Sequence, residues 1–199
     1  MGRFTFHRGS LALDFVGTIG RRAAAPVERL PDRAALAAWL REAALIAAGT
    51  PVGAGDLDAA LSLREAIART GRALVDGVRP SPPDVAALNQ AAARAALAVP
   101  ILDSESLTVR RPSANAVAAA LGRVAADAIE LFGTRRERLV QCQLPGCGAL
   151  LLSSSRGAPR RWCSMETCGN VAKAAAHRAR RRDAESSPSP GRGRHSALG

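Results

Sequence analysis

The sequence contains no tyrosine, and aromatic residues make up only 3% of its 199 positions. Strands draw on aromatic and β-branched residues, so this shortage argues against a large sheet. Ala and Leu dominate an apolar fraction of 47%, which favours close-packed helices. No uncharged apolar run is long enough to span a bilayer. The opening stretch MGRFTFHRGSLALDFVG does not read as a signal peptide, because Asp14 interrupts it and no small-residue cleavage pattern follows. A cytoplasmic protein is expected. Also missing are a glycine-rich phosphate loop, a zinc-protease helix and a nucleophile elbow. The three histidines are His7, His177 and His195. His7 with Asp14 is an acid–base pair to weigh, but a lone histidine beside a strand is more often structural. No enzymatic activity is expected.

What is present is positive charge, unevenly placed. Residues 1–134 carry 15 Arg against 13 acids, a net +2. Residues 135–182 carry 11 Lys and Arg against Glu137 and Glu166, a net +9. Residues 183–199 balance. A genome that favours Arg everywhere explains the first region, where acids match it, but not the second. Such a field draws polyanions.

The chain length permits a medium domain with a small one appended. Phe4–Phe6 reads as a short strand, and 20–29 as a loop. Asp32 caps a helix in which Leu36, Trp39, Leu40 and Ala43 recur at helical spacing to about residue 47. A Pro/Gly turn precedes a second helix, capped by Asp56 and running to about Val75, with Leu57, Leu61, Arg64, Ile67 and Leu74 near one face. A third helix is expected over 84–97. Residues 99–102 and 107–110 can pair as two strands. Ser113 caps a fourth helix over about 114–132, with Val117, Leu121, Val124, Ile129 and Leu131 as candidate core. Residues 183–199 are rich in Ser, Pro and Gly and are expected to be a disordered tail.

All four cysteines fall in Cys142-x4-Cys147-x15-Cys163-x4-Cys168. Two close pairs separated by a loop suit a tetrahedral four-thiolate zinc site, which has no open position and is therefore structural. Pro145-Gly146 supplies the bend inside the first pair. Two disulfides would require an oxidising compartment, and an iron–sulfur cluster is the remaining alternative. Four thiolates and one Zn²⁺ would lower the charge of 135–182 to about +7.

After Cys168 the run GNVAKAAAHRARRR favours helix. On it Lys173, His177 and Arg181 form one stripe, Arg178 and Arg182 an adjacent one, and Arg180 flanks them. Val171, Ala174 and Ala175 could face the zinc core. The preceding loop offers Arg156, Arg160 and Arg161, with Ser153, Ser154 and Ser155 as hydroxyl donors to phosphate. Trp162 is either cover for the metal or a stacking platform for single strands. The helix lacks the bulky apolar face of a membrane-surface helix, so nucleic acid is the expected partner. Arg64 lies on an apolar helix face and needs an acidic partner, such as Asp14, or an anionic ligand.

Arg160-Arg161-Trp162-Cys163-Ser164-Met165-x-x-Cys168-Gly169-Asn170, with Cys142-x4-Cys147 upstream and Lys173…His177-Arg178-x-Arg180-Arg181 downstream, closely resembles the CGNR zinc-finger signature. Gly9-Ser10-Leu11-x-Leu13-Asp14-Phe15-x-x-Thr18, Leu36-x-x-Trp39-Leu40 and Leu63-Arg64-Glu65-Ala66-Ile67 resemble that family's partner, the ABATE domain. The resemblance covers about residues 4–182. It implies a stress-responsive transcription regulator, with DNA contacts from the zinc module and sensing or dimerisation by the first domain. Two positions depart from the pattern: Val171 stands where Arg is usual, and Gly17 where Asn is usual.

The expected architecture is mainly α with a few short β-strands. It comprises a helical ABATE-like domain over 1–134, a zinc module with a basic helix over 135–182, and the tail. One structural Zn²⁺ is expected on Cys142, Cys147, Cys163 and Cys168. DNA is the leading partner, RNA the alternative. A homodimer is expected as an option, as is a small anionic ligand at Asp14, Thr18 and Arg64, in which case the zinc module would be an anchor for a sensing or enzymatic first domain.

Overall fold

The computed structural model describes residues 4–97, 99–153 and 159–186. Helix α1 (Leu11–Val16) begins where the Ser10 hydroxyl accepts the Leu13 N–H, the usual way to satisfy a free donor at a helix start. Asp127 accepts both the Ser10 hydroxyl and the Ala12 N–H, the latter at 2.8 Å. A two-residue ladder follows, β1 (Ile19–Gly20) against β2 (Val27–Glu28). Then come α2 (Arg33–Glu42), α3 (Ala54–Val75) and α4 (Pro82–Ala93), a hairpin of β3 (Ile101–Leu102) and β4 (Val109–Arg110), and α5 (Ala116–Thr134). The last part holds a second hairpin, β5 (Leu139–Gln141) and β6 (Leu150–Leu152), and α6 (Asn170–Ser186). The chain is thus mainly helical with a few short strands, as its composition predicts.

The start of the chain is not a strand. Asp14 Oδ1 accepts the backbone N–H groups of His7 and Arg8, at 3.1 and 2.9 Å. Those donors are spent on a side chain and cannot enter a ladder. Phe4 is buried, and the Phe6 ring lies 5.9 Å from the Trp39 ring. Trp39 is fully buried and meets Phe15 at 4.8 Å between centroids.

Several helix ends shift from their sequence expectations for capping reasons. Asp32 does cap α2, accepting the Ala35 N–H at 2.7 Å, but the helix ends at Glu42 because Ala44 turns left-handed at φ 53°. Asp56 is not the cap of α3 but sits three residues inside it, accepting the Gly53 N–H at 2.8 Å. Pro82 and Pro83 open α4 behind a Ser81 cap, since proline loses nothing in the first turn. Asn115 rather than Ser113 caps α5, accepting the Ala118 N–H at 2.9 Å. Ile129, expected in the core, is 37% exposed.

One core gathers side chains from α1 to α5 together with Leu139, Leu150 and Leu152. A second, smaller core gathers the four cysteines, Leu151 and the flanking Val140, Leu144, Ala149 and Trp162. Alternate residues of a strand point to opposite faces. Strand β6 uses this to place Leu150 and Leu152 in one core and Leu151 in the other. Its partner β5 does the same with Leu139 and Val140.

Arg64, only 3% exposed, holds the β1–β2 turn to α3. Its guanidinium bonds Glu28 through both terminal nitrogens at 2.7 Å, Thr18 Oγ1 at 3.1 Å and Glu65 at 3.1 Å. Glu65 also pairs with Arg22 inside the turn. The acidic partner of Arg64 is therefore not Asp14, and all three of its side-chain nitrogens are engaged. Burial pushes the Glu28 and Glu65 carboxyls up, but the guanidiniums of Arg64 and Arg22 outweigh it and hold both below the usual carboxylate range.

Arg64→Ala should cost about 2–3 kcal/mol, less than for a fully buried pair because the two carboxylates still reach water. The measurement is urea unfolding. Groups with depressed folded pKa values stabilise only while ionised, so this contribution should be complete at neutral pH and vanish as pH falls below the carboxylate range. The stability gap between wild type and Arg64→Ala should narrow accordingly.

Candidate metal centre and nucleic-acid interface

Each cysteine pair is presented by a tight backbone turn. Cys142 leaves the end of β5, its N–H bonded to the Ala149 carbonyl at 2.8 Å, and the Cys147 N–H returns to the Leu144 carbonyl at 3.0 Å. Gly146 and Gly148 on either side of Cys147 have φ of +77° and +66°, a left-handed region that β-carbons disfavour. They are also where the β1–β2 turn docks: a β-carbon on Gly146 would lie 2.8 Å from the Ala24 methyl, and one on Gly148 3.1 Å from the Ala23 methyl. The second pair brackets a π-helical turn, Met165–Gly169, capped by Ser164. Gly169 has no room for a side chain beside Met165 Sδ and Trp162. The Gln143 N–H bonds the Arg161 carbonyl at 2.9 Å and so joins the two turns.

All four Sγ atoms lie within 4.8 Å of one another. Three of the separations are 3.3, 3.6 and 3.7 Å. A tetrahedron with Zn–S bonds of about 2.3 Å has S···S edges of about 3.8 Å, whereas a disulfide needs about 2.0 Å. The cysteines are free thiols, 4–8% exposed. The neighbouring Cys163 thiol and burial push the Cys147 thiol up strongly, and burial pushes Cys168 up to about 11. Four thiols packed this closely ionise together only around a cation. The donor set fits one structural zinc ion.

Two family models match the chain. The first, described as "putative stress-induced transcription regulator" and named ABATE, spans residues 9–135. The chain belongs to the ABATE family. The second is the CGNR zinc finger, over residues 138–181. No curated protein matches the sequence. The junction of the two ABATE-protein segments falls between α5 and β5, yet the first core extends across it through Leu139, Leu150 and Leu152.

The residues expected to meet nucleic acid divide into two groups. Arg160 is largely spent on the protein: its guanidinium bonds the carbonyls of His7 at 3.2 Å and Cys163 at 3.0 Å, and its N–H bonds Ser153 Oγ at 3.2 Å. Ser153 is buried, so it is no phosphate donor. Arg161 remains exposed, bonded to Gln143 Oε1 at 2.8 Å and lying 5.1 Å over the half-buried Trp162 ring. Arg156, Ser154, Ser155 and His195 lie outside the described residues. On α6, Lys173, His177, Arg178, Arg180, Arg181 and Arg182 are all exposed.

The inner face of α6 differs from expectation. Val171 is 53% exposed, and Ala174 and Ala175 are exposed as well. Among the described side chains of α6, only Ala172 and Ala179 are partly covered, seven residues apart and hence on one face. The π turn before α6 inserts a wider loop of backbone, which rotates the phase of the helix that follows. The helix also runs to Ser186, four residues past its expected end. Val171 points outward, so an Arg in its place would project into solvent rather than pack.

Asp14, Thr18 and Arg64 were the candidate ligand contacts. Asp14 is occupied by two backbone N–H groups, and burial pushes its carboxyl up. Thr18 donates to the Phe15 carbonyl at 2.7 Å. His7 meets Asp14 through its backbone N–H, not as an acid–base pair. The Arg8 guanidinium fills the space a β-carbon on Gly17 would need. Sequence reasoning missed Arg72, which ties the two modules together, and Arg138, which braces the second one internally. Arg72 on α3 bonds Gln141 Oε1 at 3.0 Å and the Gly148 carbonyl at 3.2 Å, and Arg138 bonds the Ser153 carbonyl at 3.0 and 2.9 Å. No local pattern marks such long-range partners.

Metal analysis should find about one zinc per chain, and acidification should release it because every thiolate ligand must then take a proton. Cys147→Ser should lose the zinc and also lower the melting temperature of the helical core, since Leu150 and Leu152 belong to it. An unchanged melting temperature would contradict the shared strand.

Proposed function

We propose that this ABATE-family protein is a non-enzymatic, cytoplasmic transcription regulator that grips DNA with α6 and Arg161. The observation that carries this reading is the exposed basic run Lys173–Arg182 of α6. Lys173, Arg178, Arg180 and Arg182 are exposed, and among the described residues no carboxylate pairs with them. At 100° per residue, Arg180, Lys173, His177 and Arg181 fall within an arc of about 100° on the helix, with Arg178 and Arg182 beside them. The sparsely covered Ala172–Ala179 side leaves that surface free to enter a groove or follow a phosphate backbone. The zinc centre fixes the start of the helix; α6 supplies the contacts. Arg160 serves as a positioning residue that ties the second cysteine turn to the start of the chain.

If about five phosphates are contacted, log K should fall with log salt at a slope near −4.5. Replacing Arg178, Arg180 and Arg182 with Ala should remove roughly three units of that slope without releasing zinc. Filter binding across a salt series checks both, and a flat response would contradict the reading. Competition between duplex DNA and structured RNA decides the polymer: preference for RNA would make this a ribonucleoprotein module instead.

A further inference from the structure

The β3–β4 hairpin is an apolar projection that no described residue covers. Val99, Ile101, Leu102, Leu107 and Val109 are 67, 48, 65, 72 and 57% exposed. Five large apolar side chains on one short ribbon exceed the scattered exposure normal for a monomer. The ribbon has two strands and therefore two open edges, each a template for pairing with another strand. Leu107 sits at φ +52°, where Gly or Asn would be less strained. A strained leucine directed into water is costly twice over, unless its side chain is buried by a partner.

The charges on and below the hairpin identify that partner. The tip carries Glu105, beside an Asp103 whose Oδ1 is spent on the Glu105 and Ser106 N–H groups and the Ser106 hydroxyl of its own turn. At the foot, Arg111 lies close enough to Arg123 that, after burial, its charge is what pushes the Arg123 guanidinium below its usual range. Arg123 Nη1 is buried and has no hydrogen-bond partner. Among the described residues no carboxylate pairs with either arginine. The hairpin thus has an acidic end and a basic end: Arg111 lies three residues beyond Thr108, which sits opposite Asp103, about 10 Å at the rise of a strand. In a two-fold contact, each copy presents the same patch reversed. Two such hairpins laid antiparallel bring each acidic tip to the other's Arg111, and cover the apolar side chains between.

We propose that the β3–β4 hairpin is a homodimerisation surface, whose occupant is the same hairpin of a second copy of this chain. This goes beyond the nucleic-acid reading and does not depend on it.

Sedimentation velocity on the zinc-loaded full chain, from about 1 to 100 µM, should show a concentration-dependent species of twice the 20.6 kDa chain mass. Leu107→Asp should weaken association at least tenfold. Its melting temperature should match wild type, because the side chain is exposed and Asp tolerates the left-handed backbone. Glu105→Arg and Arg111→Glu should each weaken association, and the double variant should recover most of it, as coupled partners do. A chain that stays monomeric throughout would overturn the proposal and leave the hairpin to a different protein. A dimer indifferent to Leu107→Asp, or a charge swap without recovery, would overturn it equally.

Discussion

Four thiols within 4.8 Å of one another, in a cluster less than a tenth exposed, are the constraint on which the rest of the C-terminal half depends. As thiols they crowd; as thiolates they repel. A cation at the centre lets all four ionise together, and its binding is then coupled to folding. The cysteines do not act alone. Every turn that presents them is also a contact: Gly146 and Gly148 meet the β1–β2 turn, and Gly169 meets Trp162 and Met165. The metal therefore sets the position of α6 relative to the helical core.

Two devices join that core to the zinc centre. The first is β6, whose alternation gives Leu151 to the thiols and Leu150 and Leu152 to the helices. The second is a chain of ion pairs in which buried Arg64 joins half-exposed Glu28 and Glu65, and Glu65 joins Arg22; it steadies the turn packed on the first cysteine knuckle. Arg72 and Arg160 add hydrogen bonds across the same junction. A change at the Asp14–Arg8 segment would reach the zinc module directly, because the Leu152 N–H bonds the Arg8 carbonyl at 2.9 Å.

The parts legible in the sequence were those governed by local rules. Cysteine spacing placed the metal centre. Helical periodicity and caps placed α2, α3 and α5 to within a few residues, and the turn at 103–106 placed the β3–β4 hairpin. What was not legible required knowing a distant neighbour. Nothing near Arg64 in sequence indicates Glu28, 36 residues away. Nothing marks Arg160 as a brace for the His7 carbonyl, rather than a phosphate ligand, until the two segments are seen together. The phase of α6 was misread because a π turn has no compositional signal that distinguishes it from an ordinary helix start. The strand at 4–6 failed because the Phe4 N–H bonds Glu42 Oε2 at 3.3 Å and the His7 and Arg8 donors beyond it go to Asp14.

In the proposed function the zinc centre holds α6 in position for nucleic acid. The most direct test strips the metal with a chelator and measures fluorescence anisotropy of a labelled duplex while zinc is returned. Binding should be lost on removal and recover in step with zinc, saturating at about one equivalent per chain. Duplex affinity that is the same with and without zinc would contradict it.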